Sequence, residues 1–365
     1  MATNYASKYS QLVDERFVEK TMTDQAVNKD YDFDGVNTVY IYDVDTVAMN
    51  NYTASGTNRY GSPSELGTGT QTKTLSQDRS FTYTVDRKNY NDQQMVTEVG
   101  KSLARQIDLV VAPEVDEYRF AKMIGSAGYL DGTAITTSNA YSKFLDARAN
   151  IRNNKVPANG LMCFCSTDFY KKIKQDSAFI KSSEIAQNML ITGQVGKIDN
   201  IPIIEVPDEY LTGCAFIITH PIATSAMQKI NDFKVHDNPP GINGWLVEGR
   251  ISYDAFVRTY KKGAIATQVA GFTTVSTAGA TGKTILSAKE FSLDTPYRAG
   301  LTIKYATGAT QAATTVGTDI SSWTTYTIGS EVSATTDHKI TLALADSNGK
   351  AVVPGTSVTV VLGAE

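Results

Sequence analysis

Alternating apolar and polar positions dominate residues 36–90 and predict β-strands there. The segments VNTVYIYDVDTVAM (residues 36–49) and SFTYTVDR (residues 80–87) both alternate, as strands with one buried face do. Between them lies a stretch rich in glycine, serine and threonine, which predicts a mobile loop. We therefore predict one long hairpin over residues 36–90. Because an isolated two-stranded ribbon is only marginally stable in water, this hairpin is expected to lie on a partner.

The first 35 residues have a different pattern, with mostly polar side chains and three tyrosines. One helix is predicted over residues 6–20, with Leu12, Val13 and Phe17 on one side. These apolar side chains are too few to form a core. We expect this segment to be an arm that packs against something else.

A longer helix follows the hairpin, because apolar residues recur there at near-helical spacing. The stripe consists of Met95, Val99, Leu103, Ile107 and Val110. Pro113 then either kinks this helix or opens a second one, and glycines 125 and 128 end it. The acidic pair Asp116 and Glu117 is predicted to lie on a solvated face.

Helices and strands alternate between residues 138 and 250, which indicates an α+β fold. The segment SNAYSKFLDARANIRNN predicts an amphipathic helix, and Ser-Thr-Asp before FYKKIKQD is a helix-capping signal. Strands are predicted for GLMCFCS, IPIIEVPD and AFIITH, and GRISYDAFVRTYKKGAIA reads as one long strand or two.

The pattern changes again near residue 266, where short β-type runs separated by turn residues begin. The last 100 residues contain 21 threonines and 13 charged residues. Short strands at this spacing predict an antiparallel sandwich of immunoglobulin-like architecture, although a Cys…Trp…Cys pattern is absent.

Composition narrows the class of protein. The chain has 365 residues, is 41% hydrophobic and 20% charged, and carries a net charge of −4. It is therefore expected to be folded, and not to be a general nucleic-acid binder, which would need a clustered basic face. No signal peptide and no apolar run near the length of a membrane span is visible. We expect folding in a cytosol, and buried inert thiols at Cys163, Cys165 and Cys214.

No catalytic or metal-binding motif stands out. The three histidines, His220, His236 and His338, fit no H-E-x-x-H pattern, and G-x-S-x-G is absent. The sequence GATGKT (residues 279–284) lacks the first glycine of a phosphate loop and lies in a threonine-rich β region, so it is predicted to be a turn. We predict that the protein is not an enzyme, has no catalytic residue and binds no cofactor or metal.

The order of these segments resembles that of the major capsid proteins of tailed bacteriophages, which have the Hong Kong 97-type fold. GKIDNIPIIEVPDEYL (residues 196–211) is similar to the family's segment in which a short loop leads into an apolar strand and a Val-Pro-Asp turn. GRISYDAFVRTYKKGAIA (residues 249–266) is similar to its closing segment. The resemblance covers about residues 1–267.

This resemblance implies an α+β capsid fold in four parts, and the β-sandwich predicted from the strand pattern adds a fifth part outside the family. They are an N-terminal arm (residues 1–35), an extended β-hairpin loop (36–90), a peripheral domain with a spine helix (91–137 and 249–267), an axial domain (138–248) and an immunoglobulin-like β-sandwich domain (268–365).

The resemblance also implies partners and a location. The subunit would assemble with itself as pentamers and hexamers in an icosahedral head shell, built in the host cytoplasm and enclosing double-stranded DNA held non-specifically on the inner face. A separate scaffolding protein and a portal are expected, and no membrane. Some family members cross-link a loop lysine to a neighbour's asparagine; Lys73 is the only lysine between residues 36 and 86, but no partner is identified. The C-terminal domain would face outward for decoration or for host or glycan attachment.

Three other functions stay open. A non-viral, encapsulin-like compartment would share every feature of the fold. An enzyme with a carbohydrate-binding β-module would assemble its site from remote residues and would be monomeric. A cell-surface adhesin would need the secretion signal that the sequence does not show.

Overall fold

The computed structural model describes most of the chain. The described residues are 21–29, 38–44, 46–63, 65–87, 98–181, 196–211, 213–269, 273–289, 301–311 and 313–363. They form two compact units. The first takes its residues from Lys29–Gln94 and Met227–Asp254, and the second from Ser7–Asn28, Met95–Ala226 and Ala255–Glu365. The helix predicted over residues 6–20 lies outside the described residues.

The described strands and helices are numbered separately in chain order. The strands are β1 (Thr38–Val44), β2 (Thr68–Thr74), β3 (Gln77–Asp86), β4 (Tyr129–Asp131), β5 (Met162–Ser166), β6 (Lys197–Ile198), β7 (Ile201–Val206), β8 (Cys214–Thr219), β9 (Thr224–Asp237), β10 (Gly244–Val257), β11 (Ile265–Val269), β12 (Thr273–Ala278), β13 (Lys283–Lys289), β14 (Thr302–Gly308), β15 (Thr324–Thr325), β16 (Glu331–Ser333), β17 (Lys339–Ala345) and β18 (Ala351–Thr359). The helices are α1 (Glu98–Gln106), α2 (Ala112–Gly125), α3 (Ala140–Asn153), α4 (Thr167–Gln175), α5 (Ser177–Lys181) and α6 (Asp208–Leu211). Short 3₁₀ helices cover Met22–Ala26 and Thr259–Ala264.

The first unit contains two small sheets, and its pairing corrects the predicted hairpin. Strand β1 pairs antiparallel with β2, which lies in the stretch predicted to be a loop. Strand β3, predicted as the partner of β1, pairs instead with β10, which also pairs with β9. The apolar face of β3 explains this choice, because Phe81 lies opposite Gly249 and stacks on Phe233 of β9 at 5.9 Å. The threonine-rich β2 offers no such face.

The long helix of the second unit contains a π-helical turn, Ile107–Val111, between α1 and α2. The buried stripe consists of Leu103, Ile107, Val111 and Val115. The prediction that Val110 continues this stripe is wrong: Val110 is 47% exposed, because the wide turn shifts the inward position by one residue. The Ala112 N–H bonds to the Ile107 carbonyl, five residues back, and Pro113 follows in the first turn of α2. Met95 and the side chain of Val99 lie outside the described set.

A six-stranded mixed sheet in the order β4-β11-β8-β5-β7-β6 forms the centre of the second unit. Apolar residues cover both of its faces, which accounts for the continuous apolar runs in its strands. On one face Phe164 contacts Phe120 of α2, with ring centres 5.0 Å apart. On the other, Phe216 lies against Phe144 of α3 and Phe169 of α4. The predicted cap of α4 is confirmed, since the Ser166 side chain accepts the Phe169 N–H.

This sheet includes segments that the resemblance divides between two domains. Strand β4 and the first three residues of β11 fall in the predicted peripheral domain, whereas β5, β7 and β8 fall in the predicted axial domain. The boundaries between the two domains stay a prediction.

The C-terminal segment forms two further sheets around a shared apolar core. One has the order β12-β13-β16, and the other β15-β14-β17-β18. Core side chains come from both, namely Leu286, Ile303, Val332, Ile340, Leu342, Leu344 and Val353. The Tyr326 hydroxyl bridges the Leu286 backbone and the Ser330 carbonyl. The predicted turn at GATGKT is confirmed, because it joins β12 to β13 with Gly282 at φ +71°. The immunoglobulin-like type of this domain stays a prediction.

The C-terminal sheets pack directly against the end of β4. Gly132, which is buried, follows β4 and lies against the backbone of β18. A Cβ atom at Gly132 would lie 2.2 Å from the Val352 carbonyl oxygen and 2.6 Å from the Val353 Cα. Only glycine permits this approach, because real Cβ contacts are never so short.

Polar contacts fix the residues on either side of Gly132. The buried Asp131 accepts the Thr133 N–H at 2.8 Å and the Lys143 ammonium at 3.0 Å. The Gln268 amide donates to the Thr133 carbonyl at 2.7 Å. The chain around Gly132 is thereby fixed by α3 and β11, so β18 rests on a rigid support.

We predict that Gly132→Ala destabilises the protein by about 1–3 kcal/mol, because the backbone of β18 must move away from the new methyl group. Gly308→Ala is the matched control, since a Cβ there meets nothing within 4 Å, and its effect is expected within about 1 kcal/mol. Urea unfolding measures both. Equal stability of the two variants would contradict close packing between Gly132 and the backbone of β18.

Candidate assembly surfaces

Strands β1 and β2 form a two-stranded antiparallel ribbon. Its strands pair in register from Thr38 opposite Thr74 to Val44 opposite Thr68, and within the described residues neither has a second strand partner. A two-stranded ribbon is marginally stable alone. Lys73, the only loop lysine, lies on β2 opposite Val39 and is partly buried.

The segment that joins β1 to β2 exposes an unusual number of large apolar side chains. They are Val47, Met49, Tyr52, Tyr60 and Leu66, with Met49 99% and Tyr60 84% exposed. Clustered exposed apolar residues mark interaction sites more often than isolated ones do. This segment is therefore the first candidate for contact with another molecule.

Local contacts shape this segment, which the sequence predicted to be a mobile loop. The Thr53 N–H donates to the Arg59 carbonyl at 3.0 Å, and the rings of Tyr52 and Tyr60 meet edge to face at 5.1 Å. Gly61, at φ +90°, packs against the Asn50 side chain. The two tyrosines are thus presented together.

The sheet β3-β10-β9 contains a charged cross-strand contact. The Arg250 guanidinium donates to both oxygens of Asp78, at 2.9 and 2.6 Å, and the Ser252 hydroxyl donates at 2.9 Å. These hydrogen bonds, Arg250 first, lower the pKa of Asp78 to about 2. Both side chains are about half exposed, so the contact sets strand register more than it adds stability.

The segment 21–28, which belongs to the predicted N-terminal arm, is anchored to α2 by a buried carboxylate, and this corrects the prediction for Asp116. That residue was expected on a solvated face but is only 2% exposed. Its oxygens accept the Met22 N–H at 2.9 Å, the Thr23 N–H at 3.3 Å and the Thr23 hydroxyl at 2.5 Å. Burial raises the pKa of Asp116, and these hydrogen bonds oppose that shift. Glu117, in contrast, is exposed.

A buried arginine completes this anchor. The Arg119 guanidinium donates to the Thr23 hydroxyl at 3.0 Å and pairs with Asp24 at 2.7 Å. Asn28 then joins the arm to β9, since its N–H donates to the Thr224 carbonyl at 2.8 Å. Sequence reasoning missed Asp116 and Arg119, because their i,i+3 spacing is equally typical of a solvated helix face.

The histidines serve local structure. Both ring nitrogens of His220 are used, since one accepts the Ile222 N–H at 3.1 Å and the other lies 3.0 Å from the Asn159 carbonyl. His236 lies 3.1 Å from Glu248 on the neighbouring strand. The His338 backbone bonds with Thr335 and Val360.

The three cysteines are buried and free. Burial raises the pKa of Cys165 and of Cys214 to about 12 and raises the pKa of Cys163 as well. Such thiols remain protonated and unreactive at neutral pH. Within the described part of the chain, no three potential metal ligands cluster together, and no helix is both long and apolar enough to cross a bilayer.

Comparison with known proteins identifies the fold. No protein-family model matches the sequence, and no curated protein matches it. Solved phage structures do match. A chain from Mycobacterium phage Che8 is 16% identical with a TM-score of 0.54, over 68% of this chain and 90% of that one. A chain from the capsid of cyanophage P-SCSP1u is 12% identical with a TM-score of 0.55, over 67% and 86%. A chain from the head of Helicobacter pylori bacteriophage KHP40 is 13% identical with a TM-score of 0.55, over 69% and 90%.

The chain has a phage capsid fold. The predicted α+β class and the resemblance to phage capsid proteins are confirmed at this level. Each match leaves about a third of the chain uncovered. The assignment of individual segments to Hong Kong 97-type elements stays a prediction.

We predict that the Asp116→Ala substitution lowers the free energy of unfolding by about 3 kcal/mol or more, because three donors, two of them buried, lose their acceptor and Arg119 loses a compensating charge. Asp146→Ala, at a side chain that is 59% exposed, is the control and should change it by less than about 0.5 kcal/mol. Urea unfolding measures both; a cost for Asp116→Ala as small as the control's would refute the anchor.

We also predict that an NMR titration gives a pKa of about 2 for Asp78 and a clearly higher pKa in Arg250→Ala, because the Arg250 hydrogen bonds are the largest cause of the shift. Because the folded pKa lies below the unfolded one, the pair's contribution to stability is present above about pH 4 and is lost as the pH falls toward 2. Arg59→Ala, in the exposed loop, should leave this pKa unchanged. An unshifted Asp78 in the unmodified protein would show that the contact is absent in solution.

Proposed function

We propose that this chain is a structural subunit that assembles with copies of itself into the head shell of a tailed bacteriophage, and that it is not an enzyme. The observation that carries the proposal is the phage capsid fold, matched over 86–90% of the length of the three chains compared. A fold alone does not specify a function, so the surfaces of the chain must support it as well.

The β1–β2 ribbon and its exposed tip provide that support. A two-stranded ribbon whose tip leaves Met49 and Tyr60 almost fully exposed would gain stability by contact with another molecule. In a closed shell every subunit can offer the same surface to its neighbour, because repeated heterologous contacts close into rings. We assign the ribbon tip to a neighbouring subunit within pentamers and hexamers.

The remaining partners follow from the resemblance in sequence. A separate scaffolding protein and a portal would direct assembly in the host cytoplasm, and double-stranded DNA would fill the virion head without sequence-specific contacts. The C-terminal sheets would face outward. Their threonine-rich surface suits solvent exposure. The close packing of β18 against Gly132 would give them a fixed position for decoration or for attachment to a host or glycan.

Size-exclusion chromatography with negative-stain imaging tests this function, with and without a scaffold encoded in the same genome. Shells, or discrete pentamers and hexamers, are the expected result. Shells that contain a cargo enzyme and no DNA would indicate an encapsulin-like compartment instead. A compact monomer under both conditions would contradict the proposal and favour an enzyme.

We predict that Met49→Ser with Tyr60→Ser raises the concentration needed for assembly by at least about tenfold, since each buried apolar side chain contributes roughly 1.5–3 kcal/mol. Val316→Ser with Val361→Ser is the control, because these side chains are 40% and 48% exposed and lie outside the strands of the C-terminal segment. Light scattering measures assembly. Equal behaviour of both double variants would exclude the ribbon tip as a contact.

A further inference from the structure

The long helix of the second unit has a row of four residues on its outer face, which we name the outer ridge: Arg105, Leu109, Pro113 and Glu117. They follow one another at intervals of four, and the buried stripe of the same helix has this spacing but starts two residues earlier. Two residues correspond to about 200° around a helix, so the ridge lies on the side away from the core. Arg105, Leu109 and Glu117 are accordingly exposed, and Pro113 is partly buried.

The π-helical turn Ile107–Val111 straightens this ridge. In a regular α-helix each step of four residues drifts by about 40°, so three steps would turn Glu117 by about 120° away from Arg105. The π turn takes up one extra residue, which reduces this drift to about 20°. The four residues therefore form one line, about 18 Å long, on a single face.

The centre of the ridge is apolar. Leu109 is 72% exposed, and Val110 beside it is 47% exposed. Leu109 is the most exposed large apolar side chain that the structure describes in the second unit. Neighbouring exposed apolar side chains mark a contact site, and rows of residues four apart are the surface by which helices pack together.

The two ends of the ridge carry opposite charges. Arg105 lies six residues before Val111, and Glu117 lies six residues after it. Within the described part of the chain, neither Arg105 nor Glu117 forms an ion pair. They are also too far apart on the helix to pair with each other. Each charge is therefore available to a partner from another molecule.

This arrangement is complementary to itself when it is reversed. If two copies of the ridge lie antiparallel about a two-fold axis near Val111, Arg105 of each copy is beside Glu117 of the other. The apolar centres, with Leu109 of one copy beside Pro113 of the other, then meet between the two ion pairs. A contact of this kind uses the same surface on both subunits, and its charges fix the register and exclude a parallel arrangement.

We propose that the outer ridge binds the outer ridge of a second copy of this chain, antiparallel across a two-fold axis. The inference rests on the proposed function and identifies one of its contacts. Within a ring of five or six subunits all contacts are head-to-tail, whereas a two-fold contact is not. The ridge is therefore assigned to the contact that joins neighbouring pentamers and hexamers.

The size of the ridge fits that place. A stable, specific interface buries about 1,200 Å² or more in total, and one row of four side chains on each helix supplies much less. We therefore expect this contact to be too weak to hold two free subunits together. It contributes in a shell, where it is repeated between all neighbouring rings.

Charge exchange along the ridge in the full chain tests the contact. Arg105→Glu and, separately, Glu117→Arg should each raise the critical concentration for shell formation by about tenfold or more, because like charges then meet at both ends. The variant with both substitutions should assemble near the level of the unmodified chain, since the exchanged charges match again. Rescue within one chain is excluded by the distance of about 18 Å between the two positions.

Two further variants complete the design. Lys339→Glu makes the same charge reversal at an exposed residue of β17 and should change the critical concentration by less than about twofold. Leu109→Ser with Val110→Ser removes the apolar centre and should weaken shell formation while pentamers and hexamers persist. Light scattering measures assembly, negative-stain imaging separates rings from shells, and circular dichroism confirms that each variant is folded.

The outcomes separate this contact from the proposed function. If the unmodified chain forms shells and the variant with both charges exchanged is no better than the single variants, the contact is wrong and the shell function stands. Normal shells from either single variant, or loss of rings as well as shells, also overturn the two-fold assignment. A defect that occurs only when the scaffolding protein is present would assign the ridge to that protein instead. If the unmodified chain never assembles, the proposed function fails and this contact fails with it.

Discussion

The insertion of β11 between β4 and β8 is the interaction on which the second unit depends. All five residues of Ile265–Val269 are buried, and they pair parallel with β4 and antiparallel with β8. This strand joins parts of the chain that are more than 130 residues apart. Pairing over such separations is slow to form, because loop-closure entropy opposes it. Once formed, it fixes both neighbours of β11 in the chain, namely the 3₁₀ helix Thr259–Ala264 before it and the start of the C-terminal sheets after it.

The two units differ in how they bury apolar surface. The second has a sheet covered on both faces and a C-terminal core that belongs to the same apolar cluster. The ribbon of the first is a two-stranded sheet in which Val39 is buried, whereas the segment that joins its strands exposes aromatic rings. Polar contacts rather than apolar packing attach the segment 21–28, where Asp116 and Arg119 hold Thr23 and Asp24 in a buried network. Such networks need every partner in place, and this gives the arm a defined attachment that a weakly apolar segment could not provide.

The likeness to phage capsid chains at 12–16% identity is understandable in these terms. Two-face burial in the central sheet requires apolar residues in a pattern but not particular ones, since volume-conserving exchanges cost little. The surfaces are under different constraints, because contacts between copies depend on individual charges and rings. The fold is therefore recognisable where the sequence is not, and the contacts must be derived from this chain alone.

The sequence by itself determined the local elements: the strands predicted at GLMCFCS, IPIIEVPD and AFIITH, the capped helix after Ser166, the turn at GATGKT and the buried thiols. Each of these follows from residues that are neighbours along the chain. Only the tertiary structure decided that β3 pairs with β10 and that Val111 replaces Val110 in the buried stripe. It also decided that Asp116 is buried and that Gly132 packs against β18 of the C-terminal sheets. These depend on residues tens to hundreds of positions away, or on one extra residue in a helical turn. Periodicity reports whether a side chain has a buried face, but the identity of what covers that face is a property of the folded chain.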